Sequence, residues 1–238
     1  MITRTRRFAV LGPPGVTLQP PDTAFATIFS DYPSDNVGIA ARRGGDTSRG
    51  DLVYGEIPGV ATVRRLIQAI QRHQGLSGHL SESFFDLGSG SGRPCIAAAL
   101  CHSFKSCEGI EINPELFGIS QQVVRKWKEL HPSHEVEIRF TLGSFLDPEH
   151  WDWVKGDLVF INSTCFSEQT MSRISEIASK MKTGAFSITL TYKLSLSAGF
   201  VVVEELRLPM SWCEFPLIVL NDDSIFRGEA DFFIQQKQ

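Results

Sequence analysis

The chain has 238 residues, of which 42% are apolar and 21% are charged, with a formal net charge of −4. This composition is typical of a globular protein with room for one large domain and an additional arm. The slightly acidic balance excludes a general electrostatic attraction to nucleic acid, and every apolar run is well short of the ~20 residues that a membrane span needs.

The cysteines and histidines lack the spacing of metal or disulfide motifs. The five cysteines include no CxxC pair, and the six histidines form no HExxH pattern. We therefore expect no metal site and no disulfide framework, and the odd number of cysteines favours a reducing compartment.

Residues 1–50 are rich in glycine, proline, serine and arginine and show little periodicity. This predicts an irregular amino-terminal arm, followed by one domain over residues 51–238. Two small arginine clusters in the arm, at 4–7 and 42–43, are best interpreted as solvated surface, and a patch for phosphates or for an acidic surface is the alternative.

From residue 57 onward, helical and strand-like apolar patterns alternate. Val60, Val63, Leu66, Ile67 and Ile70, for example, share one helix face. The predicted helices are 57–73, 95–104, 114–130 and 167–181, and the predicted strands are 83–87, 106–112, 135–143, 156–162, 184–194, 200–208 and 215–222.

This alternation predicts an α/β fold with an open, mostly parallel sheet, helices on both faces and a terminal antiparallel hairpin. Ligands of such sheets bind at the carboxyl ends of the strands. The residues to consider are therefore those at strand ends: Asp86, Glu111, Ser144 with Phe145, and Asn162.

The first strand ends in Asp86, and three glycines follow at every second position: Gly88, Gly90 and Gly92. Glycines allow a sharp turn and a close approach of a ligand to the backbone. Glu111, about 20 residues after the first glycine, is placed to accept hydrogen bonds from two ribose hydroxyls. The pattern predicts a cofactor that contains a nucleoside.

The spacing favours S-adenosylmethionine over a dinucleotide. A dinucleotide motif reads G-x-G-x-x-G, whereas here the third glycine comes one residue early and Arg93 stands at the expected place. Asp86 would repel a pyrophosphate, but it suits the cationic amino-acid end of S-adenosylmethionine. A glycine turn without any ligand is the remaining alternative.

Six segments resemble a known family. DLVYGEIPGVATVRRLI, FFDLGSGSGRP, GIEIN, LGSFLDPEHW, DLVFINSTCF and PMSW follow, in order and spacing, the methyltransferase domain of the disruptor-of-telomeric-silencing histone lysine methyltransferases. The resemblance covers about residues 51–222. It implies a Rossmann-like sheet of seven strands, S-adenosylmethionine as cofactor, S-adenosylhomocysteine as product, a histone or nucleosome as protein substrate, and a nuclear location.

The resemblance also implies roles for individual residues. Tyr54 and Glu56 would lie in a loop over the methionine end of the cofactor, which Asp86, Gly88 and Gly90 would contact directly.

Other positions would hold the rest of the cofactor. Glu111 would bind the ribose, Phe145 would lie against the adenine, and Asn162 would sit near the transferred methyl group as the candidate catalytic residue. Ser144 stands where the family has an aspartate that accepts from the adenine amino group. The contact with the adenine is therefore weaker here or is made by another group.

The part of the family pattern that lines the lysine channel is altered. Phe166 and Trp212 match channel residues, but the second asparagine of the family is replaced, and its channel tyrosine falls near Val219. Methylation of another protein or of a small molecule therefore stays open, as does a cofactor-binding module without an acceptor site. Without a chromatin substrate, a cytoplasmic location is the alternative.

Overall fold

The computed structural model describes residues 19–33, 56–78, 80–147, 151–210 and 229–238. The helices in this part of the chain are α1 (Pro21–Ile28), α2 (Val60–Arg72), α3 (Arg93–Cys101), α4 (Pro114–Leu130) and α5 (Glu168–Ala178). The strands are β1 (Ser83–Leu87), β2 (Ser106–Glu111), β3 (Glu137–Leu142), β4 (Leu158–Ile161), β5 (Phe186–Leu190), β6 (Phe200–Pro209) and β7 (Glu229–Lys237).

The strands form one seven-stranded sheet in the order β3-β2-β1-β4-β5-β7-β6. The first five strands in this order are parallel to one another, and β7 pairs antiparallel with both β5 and β6. This confirms the predicted fold class, including its antiparallel end.

Alternate side chains of the central strands enter different cores, because successive residues of a strand point to opposite faces. Phe84 and Phe160 belong to the core cluster that includes residues of α1 to α4. Phe85 and Val159 belong to a second cluster with residues of α5. Helices therefore cover both faces of the sheet, and the site-bearing strands are buried between them.

The terminal hairpin differs from its prediction. The strand that pairs with β6 is β7, with Leu206 opposite Phe232, and the predicted strand 215–222 lies outside the described residues. Sequence reasoning missed β7 because its apolar stretch is short and polar residues flank it. One of them, Gln235, is nevertheless buried, where its side chain bonds the backbone N–H and C=O of Leu194.

The predicted irregular arm contains helix α1. Proline occupies its first position, where the missing N–H would have no partner in any case, and Ala24, Phe25 and Ile28 are buried. Its eight residues give too short a pattern for periodicity to indicate a helix. The division into an arm and a domain remains a prediction.

Within the described residues, no helix is long and apolar enough to cross a membrane, and no group of three acidic, histidine or cysteine side chains could hold a metal ion. Cys95, Cys101, Cys107 and Cys165 are free thiols.

Candidate functional site

The glycine turn after β1 has a conformation that requires glycine. Gly88, Gly90 and Gly92 have φ angles of 80°, 54° and 92°, values that side-chain-bearing residues rarely adopt. A Cβ on Gly92 would lie 2.4 Å from the Phe140 ring. Gly88 N–H also donates to the backbone oxygen of Ile110 at 3.0 Å, which fixes the turn to the end of β2.

Glu111 is the acid at the end of β2, and its carboxylate lies against the glycine turn. Its Oε2 accepts from Gly90 N–H at 2.8 Å, and its Oε1 accepts from Asn113 N–H at 2.7 Å. Burial raises the pKa of Glu111, whereas these backbone hydrogen bonds lower it and the nearby Glu56 raises it further. The hydrogen bonds from the backbone of Gly90 and Asn113 fix the orientation of the Glu111 carboxylate.

Glu56 is a second buried acid that contacts the turn. Its Oε1 accepts from the backbone N–H of Ser91 at 3.2 Å and from the Ser91 hydroxyl. Its Oε2 lies 2.7 Å from Nε of Arg93 in a buried ion pair. Glu56 is thus held on the glycine turn from two sides.

Asp86 lies near both of these acids and is only 1% exposed. Neither of its carboxylate oxygens has a hydrogen-bond partner among the residues that the structure describes. Burial raises the pKa of Asp86 well above its usual value, and the negative charges of Glu111 and Glu56 raise it further. A buried carboxylate with no partner is unfavourable, so this position suits a cationic ligand group.

A narrow cleft, partly open to solvent, lies next to these acids. Its lining consists of Glu56, Ile57, Asp86, Gly88, Ser89, Gly90, Pro94, Phe160 and Asn162. Asn162 directly follows β4, and its side-chain oxygen accepts from the Thr164 hydroxyl at 3.1 Å.

Two phenylalanine rings lie over the glycine turn. The centroids of the Phe145 and Phe166 rings are 5.2 Å apart, and a Cβ on Gly88 would be 3.9 Å and 3.8 Å from them. The indole N–H of Trp153 donates to the Phe145 backbone oxygen at 2.9 Å and holds this loop. Ser144 Oγ accepts from Leu146 N–H at 3.2 Å, a hydrogen bond within its own loop.

The structure brings most of the sequence-predicted site residues together. Five of them line the cleft, Glu111 contacts the glycine turn through a hydrogen bond, and Phe145 and Phe166 lie above that turn. Ser144 is outside the cleft lining, and Tyr54 and Trp212 lie outside the described residues.

Sequence reasoning assigned no role to Ser91 and noted Arg93 only as a departure from the dinucleotide pattern. Both bind Glu56. The indication available in the sequence is a single arginine at the start of an otherwise apolar helix, where a charge needs a buried partner.

Solved structures that are similar to this chain include two methyltransferases. One, described as a candidate RNA methyltransferase from Pyrococcus horikoshii, has a TM-score of 0.52 and 17% sequence identity, and covers 86% of this chain and 99% of its own. TrmK of M. capricolum, in complex with S-adenosylhomocysteine, has a TM-score of 0.44 and 16% identity, and covers 73% of this chain and 68% of its own. No curated protein sequence matches the chain.

The Rossmann-like, seven-stranded fold and the family match that follows together define a methyltransferase. Residues 47–199 match the family model described as histone methylation protein DOT1. Because this match spans more than half of the 238 residues, the chain belongs to the DOT1 family. Its cofactor is S-adenosylmethionine, and the product formed from this cofactor is S-adenosylhomocysteine.

Proposed function

We propose that this protein is a protein lysine N-methyltransferase that acts on a histone lysine and is located in the nucleus. Membership of a family described by histone methylation supports the acceptor and the location. The single structural observation that supports the chemistry is Asp86, a buried carboxylate with no hydrogen-bond partner among the described residues, beside a glycine turn and near two further acids.

The residues present fit S-adenosylmethionine. Glu56 and Asp86 supply negative charge for its cationic end, and the glycine turn lets the backbone approach it. Glu111 is positioned for the ribose, since a carboxylate has about four lone-pair positions and accepts several hydrogen bonds at once. The face of Phe145 is the proposed platform for the adenine.

When bound, the cofactor supplies a methyl group on a positively charged sulfur, which leaves as a neutral thioether. Methyl transfer therefore depends mainly on orienting the acceptor and excluding water. Asn162, at the end of β4 in the cleft, is the residue we propose to orient the acceptor nitrogen.

A lysine acceptor must lose a proton before it reacts, and its unperturbed pKa is about 10.4. An apolar channel lowers the pKa of an ammonium group because burial disfavours the charged form. Phe166 is the described residue that we propose for the wall of this channel, and Trp212 is a second candidate by resemblance.

A second candidate function is methylation of another protein or of a small molecule. The residues that replace the family's second asparagine bond to their own surroundings: the Ser163 hydroxyl donates to the Leu190 backbone oxygen, and the Thr164 hydroxyl donates to Asn162. The site therefore lacks the second amide of the family next to Asn162, which favours a different acceptor. A third alternative is a cofactor-binding module without an acceptor site.

Incubation with a radiolabelled methyl donor separates these functions. The purified protein is offered nucleosomes, free histones and a cell extract that is afterwards divided into protein, RNA and small molecules. The control is Asp86→Asn, which we expect not to bind the donor. Label on a histone lysine supports the proposal, and label in another fraction replaces histone as the acceptor. Donor binding without any labelled product supports the third alternative.

A further inference from the structure

Arg93, the first residue of α3, is a buried cation beside the cofactor cleft. Its side chain is 7% exposed. One part of the guanidinium, Nε, lies 2.7 Å from Glu56, and NH2 donates to the backbone oxygen of Tyr32 at 3.0 Å. The rings of Phe29 and Phe25 lie 4.6 Å and 5.6 Å from the guanidinium carbon, so aromatic faces cover the group.

These contacts connect the amino-terminal segment with the cleft. Tyr32, Phe25 and Phe29 belong to residues 19–33, which include α1. Glu56, on the other side of Arg93, bonds Ser91 in the glycine turn and lines the cleft. A continuous series of contacts therefore runs from the arm through Arg93 and Glu56 to the glycine turn.

Stability alone is a weak reason for this arrangement. Both charged groups of a buried ion pair lose their hydration, so apolar residues of similar volume often stabilise a fold equally well. The pair instead fixes the relative positions of its partners, because a guanidinium is planar and donates to several acceptors in fixed directions. With Glu56 at one position and the Tyr32 carbonyl at another, Arg93 leaves the Glu56 carboxylate little freedom to move.

We propose that Arg93 is a positioning residue that fixes Glu56 for the amino-acid end of the methyl donor, and that residues 19–33 thereby form part of the donor-binding unit. This inference rests on the proposed placement of the donor. It predicts that loss of Arg93 affects the amino-acid end of the ligand and not its adenosine end.

Two ligands distinguish these ends. S-adenosylhomocysteine carries the amino-acid end, whereas 5′-methylthioadenosine has the same adenosine and thioether without it. In calorimetric titrations we expect Arg93→Gln to weaken binding of S-adenosylhomocysteine at least tenfold and to change binding of methylthioadenosine less than twofold. A general loss of structure would weaken both ligands together, and that result would overturn the inference, as would unchanged affinity for both.

A matched control and a variant of the arm complete the test. Arg173 on α5 pairs with Glu176 of the same helix in an exposed contact, and neither residue lines the cleft, so Arg173→Gln should bind both ligands as the wild type does. Phe29→Leu removes the nearer of the two rings that cover the guanidinium and should selectively weaken binding of S-adenosylhomocysteine. Equal affinity of Phe29→Leu and wild type for that ligand would overturn the role of residues 19–33.

If Arg93→Gln does not fold, Arg93→Lys is used for the same test. Lysine keeps the positive charge opposite Glu56 but lacks the planar guanidinium that also reaches the Tyr32 carbonyl. A selective loss of S-adenosylhomocysteine affinity supports the inference, and an equal effect on both ligands contradicts it. Failure of the wild type to bind either ligand would instead refute the donor site itself.

Discussion

Replacement of Asp86 by asparagine is expected to make the free protein more stable while removing its ability to bind the methyl donor. The carboxylate is buried without a partner among the described residues, and two further acids lie near it. An unsatisfied buried polar group costs about 1–3 kcal/mol, and more when it is charged. Asparagine removes the charge and keeps the shape, so we expect a gain of about 1–2 kcal/mol in the free energy of unfolding at pH 8.

The gain should depend on pH in a defined direction. The pKa of Asp86 is raised in the folded protein, so the folded state binds the proton more tightly than the unfolded state does. The wild type therefore gains stability as the pH falls from the pKa of Asp86 in the folded state towards its unfolded value of about 3.9. Over this range the difference in unfolding free energy between Asp86→Asn and the wild type shrinks.

Thermal unfolding at pH 8 and pH 5, together with calorimetric titration of S-adenosylmethionine, measures both effects. For a chain of this size, 1–2 kcal/mol corresponds to about 2–8 °C in Tm. The matched control is Asp157→Asn, because Asp157 accepts from Ser83 N–H at 2.8 Å and pairs with Lys182, and its loss should lower Tm. An Asp86→Asn protein that is less stable than wild type at pH 8 and binds the donor normally would refute the reasoning.

Three further substitutions test other parts of the site. Asn162→Ala should bind S-adenosylhomocysteine as the wild type does but lose at least about tenfold in turnover; equal activity would exclude its catalytic role. Glu111→Gln should weaken S-adenosylhomocysteine and methylthioadenosine alike in calorimetry, because both contain the ribose; a selective effect on one would contradict the ribose assignment. Gly92→Ala should lower the free energy of unfolding by about 2–4 kcal/mol, because alanine is strained at this φ and its Cβ overlaps the Phe140 ring. Urea denaturation measures this loss, and an unchanged unfolding midpoint would contradict the geometry of the turn.

The parallel part of the fold was predictable because its physical determinants are local. Buried strands such as β1 and β4 consist of short apolar runs, and α2 and α4 have long amphipathic patterns. The spacing of the glycines and the distance to the next acid likewise indicate the cofactor site from the sequence, since both follow from the strand–turn–helix geometry.

What sequence reasoning missed depends on contacts between distant parts of the chain. Gln235 is polar and yet buried, because it bonds the backbone of Leu194, about 40 residues away in the sequence. Arg93 is likewise far from Tyr32 along the chain, and only the fold brings the two together. The local pattern indicates that Arg93, in an otherwise apolar helix, needs a partner, but it does not identify the residue that supplies it.

The most direct test of the central claim is calorimetric titration of the wild-type protein with S-adenosylmethionine, carried out over a range of pH and in buffers of different ionisation enthalpy. A cation beside Asp86 favours its charged form, so binding should occur at one site, release protons, and tighten as the pH rises. Absence of binding, or an affinity independent of pH without proton release, would contradict the claim that the donor's positive charge is held at this buried carboxylate.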